Sequence, residues 1–432
     1  MLHTLAQELN SILMQTVATK LFSECGMRMY FPKGIISQSA EAKKDAHKAN
    51  GTIGMTLENG KAAILPTIKN YAPDFSSQEL VAYAPTAGIL ELRNKWQEKI
   101  ISKNPLLKEK KFSLPIVVPG LTAGLSYIAD LFLDSTKSLI LSNPSWDNYE
   151  LIASARCNAR VSQFNMFLNG KFDIASFEKV CIEESEKCAS IRILLNFPHN
   201  PSGYTPLHSE VIEICNVIKK LADKGVNILA ICDDAYFGLQ YEDESEKQSL
   251  FAYLADIHPN VLAVKIDGPT KEDFAWGFRC GFVTFANKNF TDEHYDALQK
   301  KLMGIIRSST SCSSTPSQSF LLRAFADKNL EEQKEYFHKM LQSRYETVRS
   351  IVDSKNSKVI EALPFNSGYF MSFNLNGIKA EVLRKTLLEK KGIGTIAIND
   401  QTLRVAFSSI DDENLKSVYT DIYETAEDLA KK

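Results

Sequence analysis

Several absences narrow what this 432-residue chain can do. It has no apolar run approaching the roughly 20 residues that cross a bilayer, so a membrane-spanning role is set aside. The opening stretch, Met1 to Asn10, shows no basic region followed by an apolar one, and a cytoplasmic location is the expectation. Charge of one sign is lacking as well: a formal net charge of −2 offers no reason for a nucleic-acid or membrane-surface partner. No basic helix-turn-helix extension precedes residue 40, which speaks against a DNA-binding regulator. The cysteines, eight in all, form no C-x-x-C pair, and several sit inside apolar runs, as small buried thiols do. The histidines show no metal-ligand spacing; His199 and His208 read as satisfied or solvated side chains, and no metal is expected.

What is present describes an ordinary globular protein, with 44% hydrophobic and 24% charged residues and a length suited to two or three domains. From Leu114 to Phe285, short β-rich runs such as Ile191 to Phe197 and Val226 to Asp233 alternate with helical segments. Near-continuous apolar strands separated by helices predict an α/β fold whose mostly parallel sheet is covered on both faces. Ser308 to Ser319, rich in serine and threonine, reads as a linker, and Leu330 to Val352 as a long connecting helix. Shorter strands and helices beyond it predict a smaller α/β domain.

Ligands of such sheets sit outside the carboxyl ends of the strands. The loops there carry Gly120-Leu121-Thr122, Asn143-Pro144-Ser145-Trp146, Asn200-Pro201-Ser202-Gly203, Asp233-Asp234-Ala235-Tyr236, and Lys271 with Arg279. Each group has an ordinary structural explanation, but together they suit one aromatic, phosphorylated, aldehyde-bearing cofactor. Thr122 at a helix N-terminus and Arg279 suit a phosphate. Trp146 offers a face for a ring, and Asp233 a carboxylate for a ring nitrogen. Asn200 and Tyr236 can donate to a ring oxygen, and a desolvated Lys271 can attack the aldehyde.

The order and wording of these pieces resemble the class I aminotransferases, pyridoxal-phosphate enzymes of fold type I, especially the aspartate and aromatic amino-acid branch. N-P-S-G at Asn200 is similar to that family's N-P-T-G, D-D-A-Y at Asp233 to its D-x-A-Y, and Lys271, Arg279 and Gly281 to its cofactor lysine, phosphate arginine and following glycine. The resemblance implies a large cofactor-binding domain over 67–321 and a small domain from 1–66 and 322–432. It implies pyridoxal 5′-phosphate as cofactor, transfer of an amino group from aspartate, glutamate or an aromatic amino acid to a 2-oxo acid by a ping-pong route, and a homodimer. Tyr83 then corresponds to the tyrosine that reaches the neighbouring subunit's cofactor phosphate. Arg404, in Leu403 to Phe407, corresponds to the arginine gripping the substrate carboxylate, with Asn200 and Trp146 beside it. Arg307 corresponds to the arginine that dicarboxylate-specific members send into the partner's site. A β-lyase or decarboxylase of the same cofactor class, and a non-enzymatic ligand-sensing module, stay open as alternatives.

Two departures from the family pattern concern the phosphate cup. Gly268 stands three residues before Lys271, where a serine is usual, and Gly120-Leu121 precedes Thr122 where a small or hydroxyl residue is usual. Thr270 or a backbone amide is left to substitute.

Overall fold

The computed structural model describes residues 35–431 except 53, 55, 59–60, 64 and 68–74, together with 2–4, 7–8 and 11. The helix expected over Leu2 to Phe22 falls largely outside the described residues.

Seven strands make the main sheet: β1 (Ile116–Val118), β2 (Ser138–Asn143), β3 (Arg160–Asn165), β4 (Ser190–Asn196), β5 (Asn227–Asp233), β6 (Val261–Asp267) and β7 (Gly281–Ala286). Their order is β1-β7-β6-β5-β4-β2-β3, parallel throughout from β6 to β3, with β7 antiparallel to both of its neighbours. The lack of polar alternation along β4 to β7 has a direct cause: both faces are covered. On β5, Ile228, Ala230 and Cys232 pack into one apolar cluster, while Leu229 and Ile231 pack into a second on the opposite face.

The principal helices, in chain order, are α1 (Ile35–Asp45), α2 (Leu90–Lys103), α3 (Leu121–Phe132), α4 (Ile174–Lys187), α5 (His208–Asp223), α6 (Asp292–Ser309), α7 (Thr315–Ala326), α8 (Leu330–Asp353), α9 (Ala380–Lys391) and α10 (Asp412–Ala430). Leu92 and Trp96 of α2, Phe177 of α4 and Ile214 of α5 belong to the first cluster; Leu125 of α3 and Leu302 of α6 belong to the second. Each helix buries residues at helical spacing, as Val211, Ile214, Cys215, Ile218 and Leu221 do in α5. None of the described helices is long and apolar enough to cross a membrane.

The serine-rich stretch is not a linker. Ser314 caps α7 by accepting from the Ser317 amide, proline stands in the first turn, and Gln318 accepts from the Ile89 amide at 2.8 Å. Composition alone suggested solvation; these polar side chains instead satisfy helix-end and loop backbone groups.

A second, antiparallel sheet of β8 (Ile360–Ala362), β9 (Met371–Leu375), β10 (Ile396–Ala397) and β11 (Thr402–Val405) has the order β8-β9-β11-β10. Ala49–Asn50 runs parallel to Ile393–Gly394, and the Gly51 carbonyl accepts from the Ala406 amide at 2.7 Å. These contacts bring the early chain to β11, the strand that carries Arg404.

Candidate active site

The parallel strands end side by side, and their register decides which polar groups meet. Asp233 at the end of β5 lies beside Asn196 at the end of β4. Asn196 donates from Nδ2 to the Asp233 carbonyl at 2.8 Å and accepts from the Asn200 amide at 2.8 Å. One side chain therefore holds both the carboxylate strand and the N-P-S-G loop. That loop is packed tightly: at Gly203, with φ +80°, a Cβ would stand 1.9 Å from the Phe370 carbonyl oxygen.

A cavity of about 160 Å³ opens at these strand ends, lined by Leu121, Thr122 and Arg279 on one side and by Trp146, Asn200, Asp233, Tyr236 and Lys271 elsewhere. Asp233 is 2% exposed. Burial pushes its carboxyl up to about 6, opposed by the Tyr149 hydroxyl, which donates to Oδ2 at 2.7 Å, and by the Ala235 amide. A cationic ring nitrogen is the kind of partner that would hold this carboxylate ionised.

Lys271 lies in a single helical turn, Pro269–Glu272, just past β6. Its Nζ donates to the Gly54 carbonyl at 3.0 Å and stands 5.0 Å from the centre of the Tyr236 ring. Burial, with the positive charges of Arg404 and Arg279, lowers the amine to about 7. An amine in that range is nucleophilic near neutral pH.

Arg404 is 2% exposed and reaches from the small sheet to donate to Asn200 Oδ1 at 2.9 Å, with Nη2 3.4 Å from the Thr52 carbonyl. Its Nε is buried without a hydrogen-bond partner, and Asp147 is the carboxylate whose charge acts on the guanidinium. Burial lowers the guanidinium to about 10. A buried cation with an unfilled donor suits a ligand carboxylate.

The fit to a phosphorylated pyridine rests on these groups and on two further observations. At Gly120, φ +92°, a Cβ would come 2.6 Å from Arg279 Nη2, so the guanidinium lies directly against the loop that starts α3. The Thr270 hydroxyl lines the cavity and is buried without a partner. An anion at this end would meet the loop, the guanidinium and the hydroxyl together.

The structure brings Leu121, Thr122, Trp146, Asn200, Asp233, Tyr236, Lys271 and Arg279 together around this cavity, with Arg404 bonded to Asn200. Tyr83 and Arg307 do not reach this cavity within the chain: Tyr83 is 92% exposed, and Arg307 is exposed near the end of α6. Tyr149 and Asn196 were missed as site residues. Tyr149 follows Trp146 by one helical turn, and that spacing was the available signal. His199 is buried between Ser202 and Ser142, and burial lowers its imidazole to about 3, in keeping with a satisfied neutral side chain.

With this geometry in view, the profile of the family described as aminotransferase class I and II matches residues 53–422. The chain belongs to that family. This aminotransferase is 24% identical over 257 residues to a probable N-acetyl-LL-diaminopimelate aminotransferase of Bacillus subtilis, a match covering 60% of the chain and 58% of that protein's length. It is also 24% identical over 344 residues to an aspartate aminotransferase of Sulfurisphaera tokodaii, covering 77% and 78% respectively. An aminotransferase structure from Anaerococcus prevotii superposes with a TM-score of 0.83 at 22% identity, covering 94% of this chain and 99% of that one. The kynurenine aminotransferase of Pyrococcus horikoshii superposes with a TM-score of 0.80 at 16% identity, covering 97% and 100%. The fold of this aminotransferase is thus that of pyridoxal-phosphate enzymes of fold type I, and its cofactor is pyridoxal 5′-phosphate.

Proposed function

We propose that this aminotransferase takes the amino group of an L-amino acid of the aspartate, glutamate or aromatic type and delivers it to a 2-oxo acid by a ping-pong route. Buried Arg404, bonded to Asn200 and with its Nε unpartnered, is the single observation that carries an amino-acid substrate held by its carboxylate. When bound, pyridoxal phosphate supplies an aldehyde for the amino group and an electron-withdrawing ring for the carbanion. Lys271 would hold that group at its aldehyde, and its free amine, which burial lowers to about 7, would be placed to move a proton at the substrate Cα. Asp233, oriented by the Tyr149 hydroxyl, would face the ring nitrogen and favour its protonated form. Asn200, Tyr236 and Trp146 would hold the ring and Leu121, Thr122 and Arg279 the phosphate, since all of them line the same cavity.

The active unit in this reading is a homodimer in the cytoplasm, its protomer divided into 67–321 and 1–66 with 322–432. Exposed Tyr83 supports a reach into the partner's phosphate site, and exposed Arg307 a contact with the partner's substrate side chain.

The test is optical and catalytic. Purified protein is expected to show a visible band that bleaches with an amino donor and returns with a 2-oxo acid, and Lys271→Ala is expected to abolish multiple turnover. Sustained turnover by Lys271→Ala would refute the assignment. A donor panel of aspartate, glutamate, alanine and aromatic amino acids, repeated with Arg307→Ala, separates dicarboxylate from aromatic preference.

A further inference from the structure

Three residues before Lys271, where the family that the sequence resembles usually has a serine, Gly268 leaves no room for one. Gly268 has an extended backbone, so its conformation alone would accept any residue. A Cβ there would stand 2.9 Å from the Cys280 carbonyl oxygen, 3.0 Å from Gly281 Cα and 3.0 Å from a δ-methyl of Leu121. Gly281 is just as close to the loop before α3, its would-be Cβ lying 3.0 Å from Leu121 N. Three backbone segments therefore meet at van der Waals distance, and the Leu121 side chain fills what gap remains. The two departures from the family pattern, Gly268 and Leu121, are one packing solution.

That packing seats the turn carrying Thr270 directly on the loop against which Arg279 lies. Thr270 is 7% exposed, lines the same cavity as Thr122 and Arg279, and its hydroxyl has no hydrogen-bond partner among the described residues. A buried hydroxyl without a partner that faces a cavity is a donor that a ligand there can use.

We propose that the Thr270 hydroxyl donates to the cofactor's phosphate, supplying the hydrogen bond that residue 268 cannot. This rests on the proposed function, which puts the phosphate at the Arg279 end. Thr270 Oγ1 is then a cofactor anchor selective for the phosphorylated form, while Lys271, the next residue, serves the aldehyde end.

The experiment compares pyridoxal 5′-phosphate with pyridoxal, which lacks the phosphate, on full-length wild type, Thr270→Val and Thr270→Ser stripped of cofactor. Thr270→Val is expected to weaken pyridoxal 5′-phosphate about tenfold, the order of one hydrogen bond to a charged group, and to leave pyridoxal unchanged. Thr270→Ser is expected to bind within about twofold of wild type, since it keeps the donor. Inorganic phosphate should compete with pyridoxal 5′-phosphate less well in Thr270→Val. Cofactor-free Thr270→Val should melt no lower than wild type, because it loses an unpartnered buried hydroxyl and keeps the shape. Unchanged affinity for pyridoxal 5′-phosphate, equal weakening of both compounds, or a lower melting temperature that Thr270→Ser restores would each overturn the proposal. A wild-type protein with no visible band would overturn the proposed function and this with it; a normal band with an indifferent Thr270→Val overturns the threonine alone.

Discussion

At the scale of single residues, Asp233, Tyr236 and Arg404 work from buried positions, whereas Arg279 stays exposed at the cavity's edge. Arg404 keeps its charge in a buried place because Asn200 and the Thr52 carbonyl share its hydrogens, and a substrate carboxylate would complete the set. Arg404→Lys retains the charge but loses the planar fork. It is expected to lower kcat/KM for amino donors at least about a hundredfold while leaving cofactor affinity within a few-fold, read by steady-state kinetics and cofactor titration.

Lys271 gives a prediction about pH. Its amine falls from 10.5 in the unfolded chain to about 7 when folded, chiefly through burial and then through Arg404 and Arg279. The unfolded state therefore binds more protons between those values, and stability from this group rises with pH across that window. In the cofactor-free protein the penalty is full below about 7 and gone above about 10.5. Lys271→Met should therefore stabilise the cofactor-free protein most near pH 7 and hardly at all at pH 10.5. Urea melts of both proteins at the two pH values measure the difference, and a constant offset would contradict this assignment.

At the scale of elements, the turn carrying Lys271 is tied to two helices by charge. Lys99 and Lys103 of α2 and Lys334 of α8 face Glu272 and Asp273, with Lys334 Nζ 3.0 Å from Asp273 and 3.3 Å from Glu272. The Tyr369 hydroxyl donates to the Lys271 carbonyl at 2.8 Å. Removing one member of a buried ion cluster costs more than the contact itself, because its partners stay buried and under-compensated. Lys334→Met is expected to destabilise the protein by about 3 kcal/mol and to lower its melting temperature. This cluster was not legible beforehand. Its members are spread from residue 99 to residue 334, and lysines on charged helices ordinarily read as solvated.

Strand and helix order, by contrast, was legible, because a doubly covered sheet demands near-continuous apolar runs, and β4, β5 and β6 have them. A misreading of type came at Ser308 to Ser319, where hydroxyl and amide side chains bond backbone and begin a helix.

At the scale of the whole molecule, the proposed homodimer assigns exposed Tyr83 a role that can be tested. If each site needs the partner's tyrosine, Tyr83→Ala and Lys271→Ala proteins should each be nearly inactive, yet recover activity when their subunits are exchanged. Random reassortment makes half of the dimers mixed, each with one complete site, so about a quarter of wild-type activity is expected. No recovery on verified subunit exchange would place Tyr83 outside the site.

The sequence by itself determined the chemistry: a lysine and an arginine eight residues apart, an aspartate at a strand end, an N-P-S-G loop and a late arginine, in an order that identifies the family. These are local facts, carried by turn residues and by apolar runs that any reader of the chain can see. Only the tertiary structure decided how the parts serve one another. Asn196 and Tyr149 became supports because the register sets β4 beside β5 and folds the Trp146 helix over Asp233. Gly268 became intelligible once Leu121 and the Cys280 backbone were seen to occupy the space a serine would need. Volume and register are relations among residues far apart in sequence, and no single stretch of chain contains them.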